Sequence, residues 1–599
     1  MRRATFAWAL LAVGACGGAQ GQLHLFSTQW EDDHGNSIER VFRQIGGSPI
    51  PAAADVVVGV SAQGDTLIGV PLSGDRSGVR WAFAHPLDAR PVATGNVVVG
   101  SGGGEAFALV ASTGEVMWRR KTTGLALVGA GDDGDVTVLT FQKFGGLGSV
   151  LLGVKRDGEL IREIETEKAL GGPALVHRVA FVPWAGEYVS AIDLWSGDET
   201  ARVTLREETS RAWTAAGSLW FGELAFTRFD ERIAHASEDK ASTVTVPYRD
   251  LPGTPKLMPP GATPLPAAAN ATDKVRLYAR PSPTDGGATI EDGRYYATYF
   301  RVAMGFDARG AKLAWVHVHS ADFLGGAAAP GGIVLCDEGG NVVALDATAG
   351  TLETEAALGQ PIRACVVNVD ALHVRAAPGG QSLIAQIEAA VRLDDPMIAS
   401  AQRFLLRELV KSSDPSVTQT LVDLASDPRT GPDLLAEGRA DLAKRRNGAS
   451  FMEAALERHY DFLKDVLRAP PVGPIADALA AMHETPAASL LASHLLDPAD
   501  SEDDVRRAAA ALAVIGGAKE LPAMRQFFAM YRASAEDDDV SAAVVSIGKA
   551  LLGLTDPAAR AAVAAAVEDP MTVPYAKEGL QAFLSAEPSA PGASRKPDP

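Results

Sequence analysis

Cysteine is scarce in this chain. Its 599 residues hold three, Cys16, Cys336 and Cys365, and no two are adjacent. Basic residues are outnumbered, with 55 Lys and Arg against 74 Asp and Glu, for a formal net charge of −19. No basic run offsets that balance. This excludes a surface that tracks a nucleic-acid backbone, which needs clustered Lys and Arg. Long apolar runs are missing as well: no segment has 18 consecutive apolar residues, so none reads as a bilayer-spanning helix. No phosphate loop, nucleophile elbow or zinc-protease helix appears anywhere.

Glycine and proline are plentiful, 60 and 36 residues, and they punctuate a repeat. The stretch NVVVGSGGGEAFALVASTGEVMWRR, Asn96 to Arg120, holds three short apolar runs separated by glycine turns. Similar units recur at Val56 to Phe83, Asp135 to Glu165, Val179 to Leu205, Tyr295 to Val318 and Gly332 to Ala356. Their turn glycines are Gly74, Gly114, Gly158, Gly197, Gly310 and Gly350, with gaps of 40, 44, 39, 113 and 40. A period near 40 with about four short strands per copy predicts a β-propeller. Each small sheet is apolar on both faces and needs neighbours to bury it. The gap of 113 must hide a degenerate copy, with Gly217 to Ser237 the best candidate. The count predicts about seven blades, eight being the alternative. Asp193 and Asp346 stand four residues before their turn glycines, where they can accept turn N–H groups. The Trp that follows a turn glycine fills the space between blades. Within the long gap, Pro247 to Pro266 holds seven prolines in twenty residues and reads as a protruding loop.

These units resemble the quinoprotein-type (PQQ-like) propeller repeat, most closely at Val97 to Gly124 and Ile333 to Glu355. Gly-His and Trp-Asp signatures of WD repeats are absent. One branch of that family consists of quinone-dependent dehydrogenases, and another is the non-catalytic lipoprotein propeller of the outer-membrane β-barrel assembly machinery. The resemblance implies the fold and leaves activity open. The dehydrogenases typically carry an adjacent cysteine pair over the quinone and an acidic calcium site. This chain has no adjacent cysteines, so no catalytic residue, cofactor or metal ligand is carried over.

The first residues, MRRATFAWALLAVGAC, read as an export signal: Arg2 and Arg3 precede about ten apolar residues. Val13 to Cys16 resembles a bacterial lipobox, in which the cysteine is lipidated and becomes the mature N-terminus. Gly17 is not the aspartate that resembles an inner-membrane retention signal, so the resemblance implies an outer-membrane anchor facing the periplasm. Ordinary cleavage near Ala19 is the alternative. Cys336 and Cys365 then form an even pair in an exported protein, compatible with a disulfide. Two buried thiols are the alternative.

From about Gln381 the pattern changes to apolar residues at i, i+3, i+4, as in PMIASAQRFLLRELVK and EDDVRRAAAALAVIGG. Asp414-Pro415 and Ser501 to Asp504 suit helix N-termini. About twelve short helices fit before Phe583. Asp503 to Phe528 resembles a HEAT-type hairpin turning at Gly516-Gly517, which implies a solenoid with an extended surface for partners. The expected organisation is a signal over 1–16, a linker with the first propeller strand over 17–54, a propeller over 55–380, a HEAT-like domain over 381–585 and a disordered tail over 586–599.

Candidate chemistry is thin. His317 and His319 share one strand face near Asp322, a start for a metal site without a third ligand at recognisable spacing. Gly129 to Asp135 lacks the alternating acids and closing glutamate of a calcium loop and reads as a hairpin turn. Glu536 to Asp539 reads as a solvated helix start. The expected function is a non-enzymatic, lipid-anchored envelope scaffold that binds envelope or outer-membrane proteins. The alternative is an enzyme using the propeller's central funnel. Changing Cys16 to Ala should release the chain from membranes or block its maturation, as read by fractionation; unchanged retention would refute the anchor.

Overall fold

The structure, a computed structural model, describes residues 25–27, 41, 45, 53–72, 80–146, 148–204, 210–215, 218–222, 226–229, 243–246, 276–280, 294–307, 312–329, 331–369, 381–459 and 469–585. The chain divides into two compact units, Met1–Gln386 and Ile387–Pro599. Cys16 and the Pro247 to Pro266 segment lie outside the described residues.

The described residues of the first unit form seven four-stranded antiparallel sheets, the blades of a propeller. Blade two shows the sequence logic. Its strands are Val92–Thr94, Val97–Gly102, Glu105–Val110 and Val116–Lys121. Every residue of Val97–Gly102 is buried, because both faces of this inner strand are covered by neighbouring blades. The last strand, which starts at an exposed Val116, alternates instead. The long gap between turn glycines holds one blade, with strands Arg211–Ala215, Ser218–Gly222, Phe226–Phe229 and Thr243–Val246. Successive first strands lie side by side around the ring, as between blades two and three or six and seven.

Blade one corrects one expectation. Its innermost strand was placed within 17–54, but the sheet takes that strand from the far end of the ring. Ile362–Asn368 pairs antiparallel with Val56–Ser61, with Val57 opposite Val367 and Gly59 opposite Cys365. Backbone hydrogen bonds thereby close the circle, and no blade edge is left open at the junction.

One contact recurs between blades. The tryptophan of an outer strand lies on the turn glycine of the next blade. Trp81 covers Gly114, Trp118 covers Gly158, and Trp315 covers Gly350. These glycines have φ of 73°, 87° and 65°, where a side chain is strained. A Cβ would also stand 2.6, 3.0 and 2.3 Å from the respective tryptophans. Trp81 Nε1 donates to the carbonyl of Ala111 at 2.9 Å, and Trp315 Nε1 donates to Ala347 at 3.0 Å. Each acceptor sits three residues before its turn glycine. Between blades three and four Arg162 takes the tryptophan's place, donating Nε to Leu194 at 3.0 Å and lying against Gly197. Asp346 accepts the N–H groups of Thr348 and Ala349, both at 2.8 Å, and Asp193 accepts from Trp195 at 2.8 Å, which fixes the turns. Gly74 and Gly310 lie outside the described residues.

The second unit is all-α. With the helix Leu383–Val391 that leads into it, twelve α-helices are described, ending with Pro574–Ser585. Alternate helices form a row: Ala399–Leu409, Pro432–Ala443, Val472–Met482, Glu502–Ile515, Asp538–Gly553 and Pro574–Ser585, each packed on the next. Their starts follow the sequence signals. Ser501 Oγ accepts from Asp504 N, Asp414 Oδ1 accepts from Ser416 N, and Asp537 Oδ1 accepts from Asp539 N. No helix among the described residues is long and apolar enough to cross a membrane.

Replacing Trp315 by Ala empties the space over Gly350 and removes the indole hydrogen bond to the Ala347 carbonyl. The unfolding free energy should fall by about 3–5 kcal/mol, read by denaturant titration. A loss below about 1 kcal/mol would mean the inter-blade contact is dispensable.

Candidate functional site

Cys336 stands on the second strand of blade seven, Gly332–Asp337, and Cys365 on the ring-closing strand Ile362–Asn368. Both are buried, their Cα atoms are 6.5 Å apart, and their sulfurs are bonded. The bridge ties the last blade to the strand that completes the first. Covalent linkage and backbone pairing therefore converge at one junction.

The histidines of the HVHSAD stretch sit where the outer strand of blade six, Lys312–Val318, ends. His319 Nε2 is 2.9 Å from Asp337 Oδ2, across the blade boundary, and Asp337 also accepts the backbone N–H of Asn341 at 2.8 Å. Asp322 pairs with Arg301 at 3.3 Å. The structure therefore spreads the three residues over separate contacts. The same latch occurs between blades one and two, where His85 follows its outer strand and reaches Glu105 Oε1 at 2.8 Å. His317 Nε2 is buried and makes no hydrogen bond. Burial, with the neighbouring His319 second, depresses its pKa to about 4.

Gly129 to Asp135 forms the predicted hairpin: Leu125–Asp132 pairs with Val136–Lys143. Asp132 is buried and accepts from Thr137 Oγ1 at 2.8 Å, Gly134 N at 3.0 Å and Arg156 Nη2 at 2.6 Å. Burial pushes its carboxyl up to about 6 despite these partners.

The cluster that sequence reading missed lies in the helical unit. His459 follows the helix Ala449–Leu456, and His494 ends the helix Ala488–His494. Asp497 and Asp500 stand in the turn that leads to Ser501, the N-cap of Glu502–Ile515. His459 Nδ1 is 2.6 Å from Asp497 Oδ2. His494 Nδ1 is 2.8 Å from Asp500 Oδ2 and 3.9 Å from Asp497 Oδ2. The two rings stack with centroids 4.3 Å apart and planes 22° apart. His494 is fully buried, whereas the His459 side chain is 40% exposed. Burial pushes the His494 pKa down, but the Asp500 carboxylate and the Leu456 carbonyl outweigh it and the net shift is upward. Burial raises Asp500, with His494 only partly offsetting it. Asp497 is held low: burial opposes this, but the Ala499 N–H and His459 prevail. His459 Nδ1, His494 Nδ1 and an Asp497 oxygen lie within 4.8 Å of one another, the one such three-donor group among the described residues. The sequence carried a faint signal. His494, Asp497 and Asp500 are spaced three apart in HLLDPAD, but His459 stands 35 residues upstream.

No family model matches the chain, and no curated protein does. Solved structures similar to its N-terminal half include BamB from Moraxella catarrhalis, at 14% identity over 55% of this chain and 95% of that one, with a TM-score of 0.30. AztD from Citrobacter koseri, in its apo form, is 12% identical over 53% of this chain and 90% of its own, at 0.28. The dihydro-heme d1 dehydrogenase NirN is 12% identical over 51% and 64%, at 0.31. Identities and scores this low leave the fold to be read from the seven sheets themselves.

The depressed His317 pKa has a sign. Folding then favours neutral His317, so its contribution is complete above the unfolded pKa near 6.5 and is lost as pH falls from there towards 4. The size is on the order of 3 kcal/mol. In His317→Phe, stability between pH 6.5 and 4 should decline less steeply than in the parent. Parallel pH profiles would show that His317 titrates normally.

Proposed function

We propose that this chain is a non-enzymatic, membrane-anchored scaffold of the cell envelope, binding other proteins through its propeller loops and a HEAT-like helical array. The observation that carries the reading is how the propeller uses its polar residues. Asp132 and Asp346 organise turns, and His319, Asp337 and His85 latch one blade to the next. Groups of the types that could act as acid, base or ligand are engaged in construction. Two repeat architectures supply large, rigid faces, and such faces serve binding.

The N-terminal segment says which side of the ring an anchor on Cys16 would hold. Phe26 is buried, with its ring edge-on to Trp184 of blade four at 5.8 Å. Arg202 packs over Trp184 at 4.8 Å and donates to the Ser27 carbonyl. Phe26 is ten residues after Cys16, and ten residues span at most about 35 Å. A lipid on Cys16 would therefore hold the blade-four side of the ring close to the bilayer.

A chain truncated after Gln386 should keep a folded propeller, with its thermal transition preserved, and should lose at least one of the partners that the full chain captures from envelope extracts. An unchanged partner set would remove the helical unit from the binding role. Substrate turnover by the purified full chain, or a bound quinone in its absorption spectrum, would replace the scaffold reading with the enzyme one.

A further inference from the structure

The histidine pair of the helical unit gathers donors of the metal-ligating kind at one point. His494 Nε2 lies 2.9 Å from the Leu456 carbonyl oxygen, which can only accept, so Nε2 carries the hydrogen. The other nitrogen, Nδ1, faces the carboxylate of Asp500, with Asp497 behind it. His459 repeats the arrangement. Ser493 Oγ gives its hydrogen to the Leu490 carbonyl at 2.6 Å, so at 3.4 Å it accepts from His459 Nε2. His459 Nδ1 in turn faces Asp497 Oδ2.

One ligand atom each of His459, His494 and Asp497 lies within 4.8 Å of the other two, close enough for a single ion to reach all three. Neutral imidazole is the form that ligates. The outer contacts already fit. A ligating histidine usually donates its other ring N–H to a carbonyl, carboxylate or other oxygen, which fixes the tautomer. Both histidines do so here.

We propose that His459, His494 and Asp497 bind one divalent transition-metal ion of the zinc class. Two imidazoles with a carboxylate favour zinc and its neighbours over magnesium or calcium, which prefer all-oxygen sites. The partly exposed His459 edge gives the ion a route in. The role is structural: the ion would clamp the end of Ala449–Leu456 to the turn between Ala488–His494 and Glu502–Ile515. The site belongs to the helical unit and is independent of the scaffold reading.

The test uses the untagged full chain, chelator-treated and dialysed. Zinc titrated by calorimetry should bind at one equivalent and raise the thermal transition, whereas magnesium and calcium should do neither. His494 is buried, so His494→Ala removes core packing as well as a ligand; His459→Ala is the decisive variant. It should keep the metal-free transition of the parent, weaken zinc affinity at least tenfold, and lose the zinc-induced rise. Asp497→Asn should weaken binding in the same way. Absence of stoichiometric zinc binding by the parent, or binding undiminished in His459→Ala, would overturn the site.

Discussion

The propeller depends on one contact: a large outer-strand side chain resting on a glycine of the next blade. Twisted sheets arranged around an axis diverge towards the rim, and the gap must be filled there. Trp81, Trp118 and Trp315 fill it. Their rings reach the neighbouring backbone because the residue beneath has no Cβ. That residue is also where the turn needs a left-handed backbone, so two separate demands select glycine at the same position. The indole N–H is then buried and needs an acceptor, which the carbonyl three residues before the glycine supplies for Trp81 and Trp315. Trp118 Nε1 finds none. At that boundary Arg120 Nη1 donates to the Gly158 carbonyl at 3.0 Å instead. Arg162 shows that the constraint concerns reach and hydrogen bonding more than aromaticity.

This explains why so much of the propeller was legible. The turn glycine and the following tryptophan recur in sequence because three of the described blade boundaries use both. The period near 40 is therefore the spacing of a physical contact. The blade between Gly197 and Gly310 was harder to see because its glycine signal is missing, and only its apolar runs marked it. The ring closure could not be read locally. Ile362–Asn368 looks like any buried strand, and its pairing with Val56–Ser61 joins residues some 300 positions apart. The cysteines were visible, but their geometry depends on that same closure, which brings a blade-seven strand beside the closing one.

Polar residues were legible in kind and less so in role. His317 and His319 share a strand, which raised the thought of a ligand pair. Their rings stack 6.1 Å apart, but they have different partners: Asp337 takes His319, and His317 is left without a hydrogen bond at its buried nitrogen. His85 and Glu105 form the equivalent latch at the first boundary. Nothing in either stretch marks them as related, because the histidine and the acid belong to different blades. A contact between repeats is written half in one repeat and half in the next.

The helical unit applies a different rule. Its row of alternate helices buries residues such as Ile475, Leu512, Ile547 and Leu580, and that burial supplies the stability. Ion pairs between helices run alongside: Arg407 with Glu437, Arg507 with Asp477, Arg506 with Asp539. Exposed pairs of this kind add little stability, but each matches one helix to a particular neighbour. Asp504 is the exception, buried and shared by Arg439 and the Gly473 N–H, so it locks helices together at depth. The row and its ion pairs hold the long helices and leave the turns between the shorter ones to find their own support. Residues 495–500 form one such connection, leading from Ala488–His494 into the row helix Glu502–Ile515. Its packing rests on the buried Leu495, and the hydrogen bonds of His459 with Asp497 and of His494 with Asp500 and the Leu456 carbonyl tie the rest of it to its neighbours.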